Sequence, residues 1–420
     1  MDSSILTVMW TLICAFLVIF MQTGFAMMET GFTRAKNAGH TMAMNMMVVV
    51  FGVLGYWICG YAIQTGTREF FLSNAASHAS IVLLFLSQVV YLNIAAAIPT
   101  GAMAERWTFK SFVVYGFFIA MFVYPLYASW VWGGGWLAQL GRNLGLGHGV
   151  LDFAGSSVVH MVGGVTGLAG AIVLGPRMGK YRANGTPTAF PGHHIPMAVV
   201  GCMILFFGWF GFTAGPAVLD NGLRVGVIVV NTLLAGVAAA AAAMCYVWFV
   251  YGKPDLSLIA NGLLGGLVAI SASCAFVSPV GAMMIGFIAG VLCCVSVFFV
   301  EQKLKVDDPV GAVSVHGVCG AWGMIALGLF ADGTFGDGWN NVAGNVKGLF
   351  YGGGISQFVA ELAAVVVNFV FIFSVMYLFF KILGRLMPLR VAEEIEFEGL
   401  DQNEVAVTAY PDFSITKSRR

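Results

Sequence analysis

The stretch DFAGSSVVHMVGG (152–164) returns in altered form as DPVGAVSVHGVCG (308–320). In both, Asp is followed by Gly three residues on, Val seven on, His eight on and Gly twelve on. The copies are 156 residues apart. Each histidine, His160 and His316, sits inside a long apolar run. A polar ring in hydrocarbon is costly and is commonly functional. Two such rings in one pattern point to a duplicated fold with a paired histidine site.

The surroundings of the repeat set the class of protein. The chain has 420 residues, of which 59% are hydrophobic and 10% charged. Soluble domains carry about 25% charged residues. With a mean hydropathy of +0.88, a polytopic membrane protein is expected, with lipid around its apolar belt. The formal charge of zero and the lack of a basic patch give no reason to expect nucleic acid. The eight cysteines, nearly all in apolar runs and without a C-x-x-C pair, read as small buried apolar residues. The N-terminal run to about Thr30 has no basic start and is too long for a signal peptide, so it reads as a retained first membrane helix.

A spanning helix takes roughly 20 apolar residues. Eleven segments qualify, at about 5–31, 40–64, 80–103, 111–133, 152–175, 194–215, 223–249, 256–276, 280–300, 311–330 and 352–384. The expected fold is an all-α polytopic membrane protein with eleven transmembrane helices. Small-residue spacings such as Gly163 to Gly167, Gly262 to Gly266 and Gly286 to Gly290 predict close helix packing. With the N-terminus outside, sixteen Lys and Arg fall inside, six of them in the tail, including Lys417, Arg419 and Arg420. Arg68, Arg142, Arg224 and Lys347 fall outside. This satisfies the positive-inside rule and predicts a cytoplasmic C-terminus and a plasma (inner) membrane location.

The topology also accounts for the repeat. Five helices separate the two copies, so the halves must be inverted: helices 1–5 (about 5–175) against helices 6–10 (about 194–330). Helix eleven (352–384) stands outside the duplication and completes a membrane domain of 1–384, with a cytoplasmic tail of 385–420. Inverted repeats place transport sites near the midplane, where the halves meet.

Three readings of the histidines follow from the residues. They are core histidines satisfied by backbone carbonyls, part of a metal site, or a ring pair lining a narrow pore. The metal reading lacks a third clear ligand at helical spacing. A neutral imidazole both donates and accepts, so a pair can pass a small hydrogen-bonding molecule or relay a proton. Asp152 and Asp308 read as N-caps, Asp308 with Pro309 in the first turn; Asp152 can also add negative potential for a cation. Tyr91, Trp132, Trp209 and Phe212 read either as interfacial anchors or as a cage attracting a cation through its ring faces. No nucleophile–base pair, phosphate loop or metal motif points to an enzyme, and no cofactor is implied.

Several segments carry a family resemblance: GFTRAKN (31–37), GAMAERW (101–107), WGGG (132–135), DFAGSSVVH (152–160), GWFGF (208–212), GKPDLSLIANGLLGGLVAI (252–270), DDPVGAVSVHGVCGAWG (307–323) and EGLD (398–401). Along nearly its whole length the chain resembles ammonium transporters of the Amt/Mep/Rh family. The resemblance implies a homotrimer of eleven-helix protomers, each with its own pore, conducting ammonium or ammonia. It makes His160 and His316 the twin pore histidines, and Trp132 the tryptophan of an outer recruitment site with Asp152 beneath it. Tyr91 stands where a gate phenylalanine is usual, Phe212 is the second gate ring, and Trp209 lines the route. Pro216 replaces a serine whose hydroxyl helps bind the incoming cation, and Ser87 stands where another aromatic is common. Those departures motivate a second reading, an ammonium sensor with little transport. The resemblance also implies a tail packing under the neighbouring protomer and a PII-type signalling protein as a candidate partner on the cytoplasmic face. Within the tail, Glu393, Glu394 and Glu396 are expected to face Lys180, Arg182, Lys303 and Lys305, with Phe397 and Leu400 supplying the packing.

Overall fold

The computed structural model describes residues 3–73, 79–217 and 222–413. Lys417, Arg419 and Arg420, counted above in the charge asymmetry, lie outside them. The described residues form helices with three isolated bridges between extended residues and no strand. Among the described residues, ten helices are long and apolar enough to cross a membrane. They are α1 (Ile5–Phe32), α2 (Ala35–Thr65), α3 (Ser80–Ala102), α4 (Phe109–Val131), α5 (Ser156–Leu174), α6 (Ile195–Ala214), α7 (Arg224–Tyr251), α9 (Pro279–Gln302), α10 (Val313–Phe330) and α11 (Ser356–Leu386). Between α7 and α9 lies α8, Leu256–Ser271, with 16 residues.

The short α8 departs from the expected span of 256–276, and its geometry gives the reason. Beyond Ser271 the chain leaves the helix yet stays buried at Cys274, Phe276 and Val277. Irregular backbone at such depth persists where protein groups satisfy it. The Phe153 and Ala154 amides donate to Ala272 O and Ser271 O at 3.2 and 2.9 Å. Asn231 Nδ2 donates to Cys274 O and Val277 O at 2.9 and 2.8 Å. The loop that opens α5 therefore closes α8.

The two copies of the Asp–Gly–His pattern have matching local structure. The helices begin at Ser156 and Val313, four and five residues after the aspartates, rather than at Asp152 and Asp308. Each opens with a π-turn, Ser156–Met161 and Val313–Val318, and each π-turn carries a histidine. Gly155 and Gly311 have φ of 113° and 78°, the left-handed region that favours glycine. That turn lets the aspartate reach forward to free amides. Asp152 takes four, from Gly155, Ser156, Ser157 and Val158, at 2.7–2.9 Å. Asp308 accepts from Gly311 and Val313 at 3.1 and 2.7 Å.

Glycines let the helices meet. A Cβ at Gly24 of α1 would meet Gly201 O of α6 at 2.8 Å. A Cβ at Gly164 of α5 would stand 2.2 Å from the Gly317 amide of α10. Gly286 and Gly290 of α9 lie equally close to Ala235 and Ala239 of α7, as small-residue spacing predicts.

One end of the bundle gathers its charge. Arg177 pairs with Glu105 at 3.0 Å and with Asp307 at 2.8 Å, and Arg34 also pairs with Glu105. Arg106 is fully buried and donates to Asp307 O, Ala104 O and Gly175 O. Burial alone would raise both carboxyls. Arg106 and Arg177 nevertheless hold Asp307 well below the usual carboxylate range, and Arg177 and Arg34 hold Glu105 below it. Burial brings the Arg106 guanidinium down to about 10. We call this end basic and the opposite end aromatic.

The tail forms two short helices, α12 (Glu393–Glu398) and α13 (Leu400–Glu404), against the basic end. Its charge partners differ from those expected. Glu396 pairs with Arg390 of the tail itself and accepts the Met178 amide. Lys180 pairs with Glu301, and Lys305 donates to Gly185 O. The tail also meets α2 through its carbonyls: Lys36 Nζ donates to Glu396 O and Phe397 O at 2.6 and 2.7 Å. Leu400 is buried, while Phe397 remains 76% exposed on this single chain.

Candidate functional site

At the aromatic end a cavity of about 430 Å³ opens, lined by Tyr91, Trp132, Asp152, Pro216, Ser87 and Trp339 among others. Trp132 Nε1 donates to Asp152 O at 2.6 Å, which fixes the indole beside the α5 cap. Both carboxylate oxygens of Asp152 are engaged by amides, so its structural capping role is realised in full.

Below the cavity two rings meet. Tyr91 and Phe212 have centroids 4.7 Å apart, and Trp132 stands edge-on to Tyr91 at 5.6 Å. The Tyr91 hydroxyl donates to Phe212 O at 2.7 Å. A phenylalanine at this position lacks that bond, so the tyrosine ties the two rings together.

The histidines follow directly. His160 lies 5.3 Å from Phe212 and stacks on Trp209 at 5.1 Å. Trp209 is held in turn by Ser271 at 3.1 Å. His160 Nδ1 and His316 Nδ1 are 3.2 Å apart. One ring must donate to the other there, so the two carry opposite tautomers. Among the described residues His160 Nε2 has no hydrogen-bond partner. The ring pair is thus bound to itself rather than to backbone carbonyls. Among the described residues no group of three or more His, Cys, Asp or Glu has the arrangement of a metal site.

Past His316 come Phe25, at 5.9 Å, and a small cavity of about 10 Å³ lined by His316, Glu29, Ile98 and Val310. Val310 also lines the cavity at the basic end, of about 500 Å³, which holds Asp308, Asn261, Ser314, Arg177 and Lys180. In order from the aromatic end, the groups in line are Trp132, the Tyr91–Phe212 pair, His160, His316 and the basic-end cavity.

All eight site residues named from sequence lie on or beside this line. Three others were missed. Glu29 carried a signal, since an acidic residue in an apolar run is a functional candidate by default. Phe25 looks like any apolar residue of α1, and Trp339 comes from a loop without periodicity.

A helical bundle whose buried ring pair lies between cavities at its two ends has the architecture of a membrane transport protein. The profile of the Ammonium Transporter Family matches residues 9–410, and the chain belongs to that family. It is therefore an integral membrane transporter rather than an enzyme, and ammonium is the family's substrate. Ammonium transporter Amt2 of Archaeoglobus fulgidus is 43% identical over 419 residues, covering 97% of this chain and 89% of that protein. Ammonium transporter Amt1 of Haloferax mediterranei is 36% identical, covering 96% and 79%. The solved Sensor Amt Protein matches with a TM-score of 0.86 at 32% identity, covering 95% of this chain and 98% of its own. Candida albicans Mep2 matches with a TM-score of 0.81 at 26% identity, covering 92% and 86%.

Proposed function

We propose that this chain moves ammonium across a membrane by capturing the cation at the aromatic end, removing its proton near Tyr91 and Phe212, and passing ammonia along His160 and His316. The observation that carries this reading is the order of groups on one route, ending in a buried, self-bonded histidine pair. Trp132 and Tyr91 offer ring faces, which attract a cation by their quadrupoles. Below them the wall is apolar, and an unpaired ion in hydrocarbon costs at least about 2.5 kcal/mol. Ammonium avoids that cost by shedding a proton, whereas potassium has none to shed. Ammonia then finds both donors and acceptors on neutral imidazoles.

In this reading the basic end faces the cytoplasm of a plasma (inner) membrane, the N-terminus lies outside, and three protomers assemble with a pore in each. The membrane domain spans 1–384 as two inverted halves plus α11, and the tail from 385 lies inside, where a PII-type protein is the candidate partner. Asp152 supports capture by positioning Trp132.

A second reading is favoured by the likeness to the Sensor Amt Protein and by Pro216 in the vestibule wall: an ammonium sensor with little transport. Uptake of labelled methylammonium into proteoliposomes separates the two. Saturable uptake that ammonium competes away supports transport. Binding without uptake supports sensing.

A further inference from the structure

Glu29 is fully buried in α1, among helices, and pairs with no cation among the described residues. The transport reading above gives it no task. Its Oε2 lies 2.7 Å from Asn45 Nδ2 of α2 and 2.7 Å from Thr100 Oγ1 of α3. Thr100 Oγ1 is also 2.6 Å from Ala97 O. A hydroxyl has one proton. If Glu29 were ionised, that proton would face two acceptors and could satisfy one. A neutral Glu29 removes the conflict: its own O–H donates to Thr100, and Thr100 donates to Ala97 O. Burial away from any cation favours the neutral form in the same direction.

Position gives this proton a use. Glu29 and His316 line the same small cavity of about 10 Å³, which is about the room of one water molecule. Val310 alone is shared between that cavity and the wide one at the basic end. Gly101 keeps the approach open, since a Cβ there would meet Glu29 Oε1 at 2.8 Å. The other titratable groups near Glu29 are Asp308 at the head of α10 and Tyr115 of α4. Neither is a cation that would hold Glu29 ionised.

We propose that Glu29 is a proton-carrying site that returns a proton to ammonia as it leaves His316. This rests on the transport reading. Ammonia takes the carboxyl proton, an N–H bond forming as the O–H bond breaks, and ammonium leaves past Val310 into the basic-end cavity. The carboxylate regains a proton from the histidine pair, which received the one lost by incoming ammonium. Opposite tautomers across the Nδ1···Nδ1 contact suit such a handover. One charge then crosses with each ammonia.

The test uses full-length protein in liposomes, with ammonium-jump currents and an internal pH dye. Wild type is expected to give current with little internal alkalinisation. In Glu29→Gln the current should fall by about tenfold or more, and entering ammonia should now alkalinise the interior. Glu29→Asp, which keeps a carboxyl group, should retain current without alkalinisation, and it serves if the Gln variant fails to insert. Undiminished current in Glu29→Gln would overturn the proposal. So would loss of current in a folded Glu29→Gln without alkalinisation, or loss of current in a folded Glu29→Asp. Absence of both signals in wild type would instead sink the transport reading itself.

Discussion

At the scale of single residues, the aromatic-end cavity holds two residues that the family resemblance does not lead one to expect. Pro216 and Ser87 both line the aromatic-end cavity, where a hydroxyl and a ring are expected from the resemblance. A hydrogen bond to a charge contributes about 1.5–3 kcal/mol. Pro216→Ser is therefore expected to tighten half-saturation for ammonium by about tenfold, measured as concentration-dependent uptake. Unchanged or weaker half-saturation would show that the hydroxyl is not what capture lacks. The residue scale is also where the sequence was most legible. The histidines stand out because they are polar, duplicated and set in apolar runs. Trp339 could not be found this way: its place in the cavity wall depends on how the loop between α10 and α11 folds back, which no local pattern records.

At the scale of elements, the aspartates and the basic end decide how helices begin and stay in register. Asp152 satisfies four amides at the start of α5. Loss of a simple cap costs about 0.5–2 kcal/mol, and a fourfold cap in a buried site belongs at the top of that range. Asp152→Ala should lower the thermal midpoint of the purified protein, while the Trp132 indole keeps its bond to the main-chain carbonyl of residue 152. An unshifted midpoint would show that the cap is dispensable. The basic end makes a prediction with a sign. Arginines hold Glu105 and Asp307 below the usual carboxylate range. Their contribution is therefore present above that range and is lost as pH falls through the depressed values. Arg177→Met leaves both carboxylates short of a buried partner and should cost about 3–5 kcal/mol at neutral pH. The deficit should shrink on acidification, as the carboxyls protonate in the variant first. A deficit independent of pH, read from thermal melts, would contradict this account of the cluster. Hydropathy located the helices well, because apolar length is a strong local signal. It overran α8, because the buried turn after Ser271 is as apolar as the helix and is stabilised by amides from residues 153 and 154. The tail partners were misjudged because charge in the sequence does not say which opposite charge stands nearest: Glu396 is taken by Arg390 of the tail itself and Lys180 by Glu301.

At the scale of the whole molecule, the two copies of the Asp–Gly–His pattern meet at the proposed route. Each copy contributes one cap, one π-turn and one histidine, and the glycine contact at Gly164 and Gly317 brings those two π-turns together. The tail is tied to the same frame. Asp401 accepts from the Gly39 and His40 amides at the start of α2, at 3.1 and 2.9 Å, and Leu400 is buried beside them. Deleting residues 391–420 should reduce flux without dispersing the expected trimer, read by uptake alongside size-exclusion light scattering; full activity would make the tail a passive appendage. In this proposal ammonium crosses by way of the histidine pair. Its most direct test compares ammonium and potassium jumps on solid-supported membranes for wild type, His160→Ala and His316→Ala at equal expression. Wild type should respond to ammonium and not to potassium, with selective flux abolished in each folded variant. Equal, equally selective flux in either variant would contradict it.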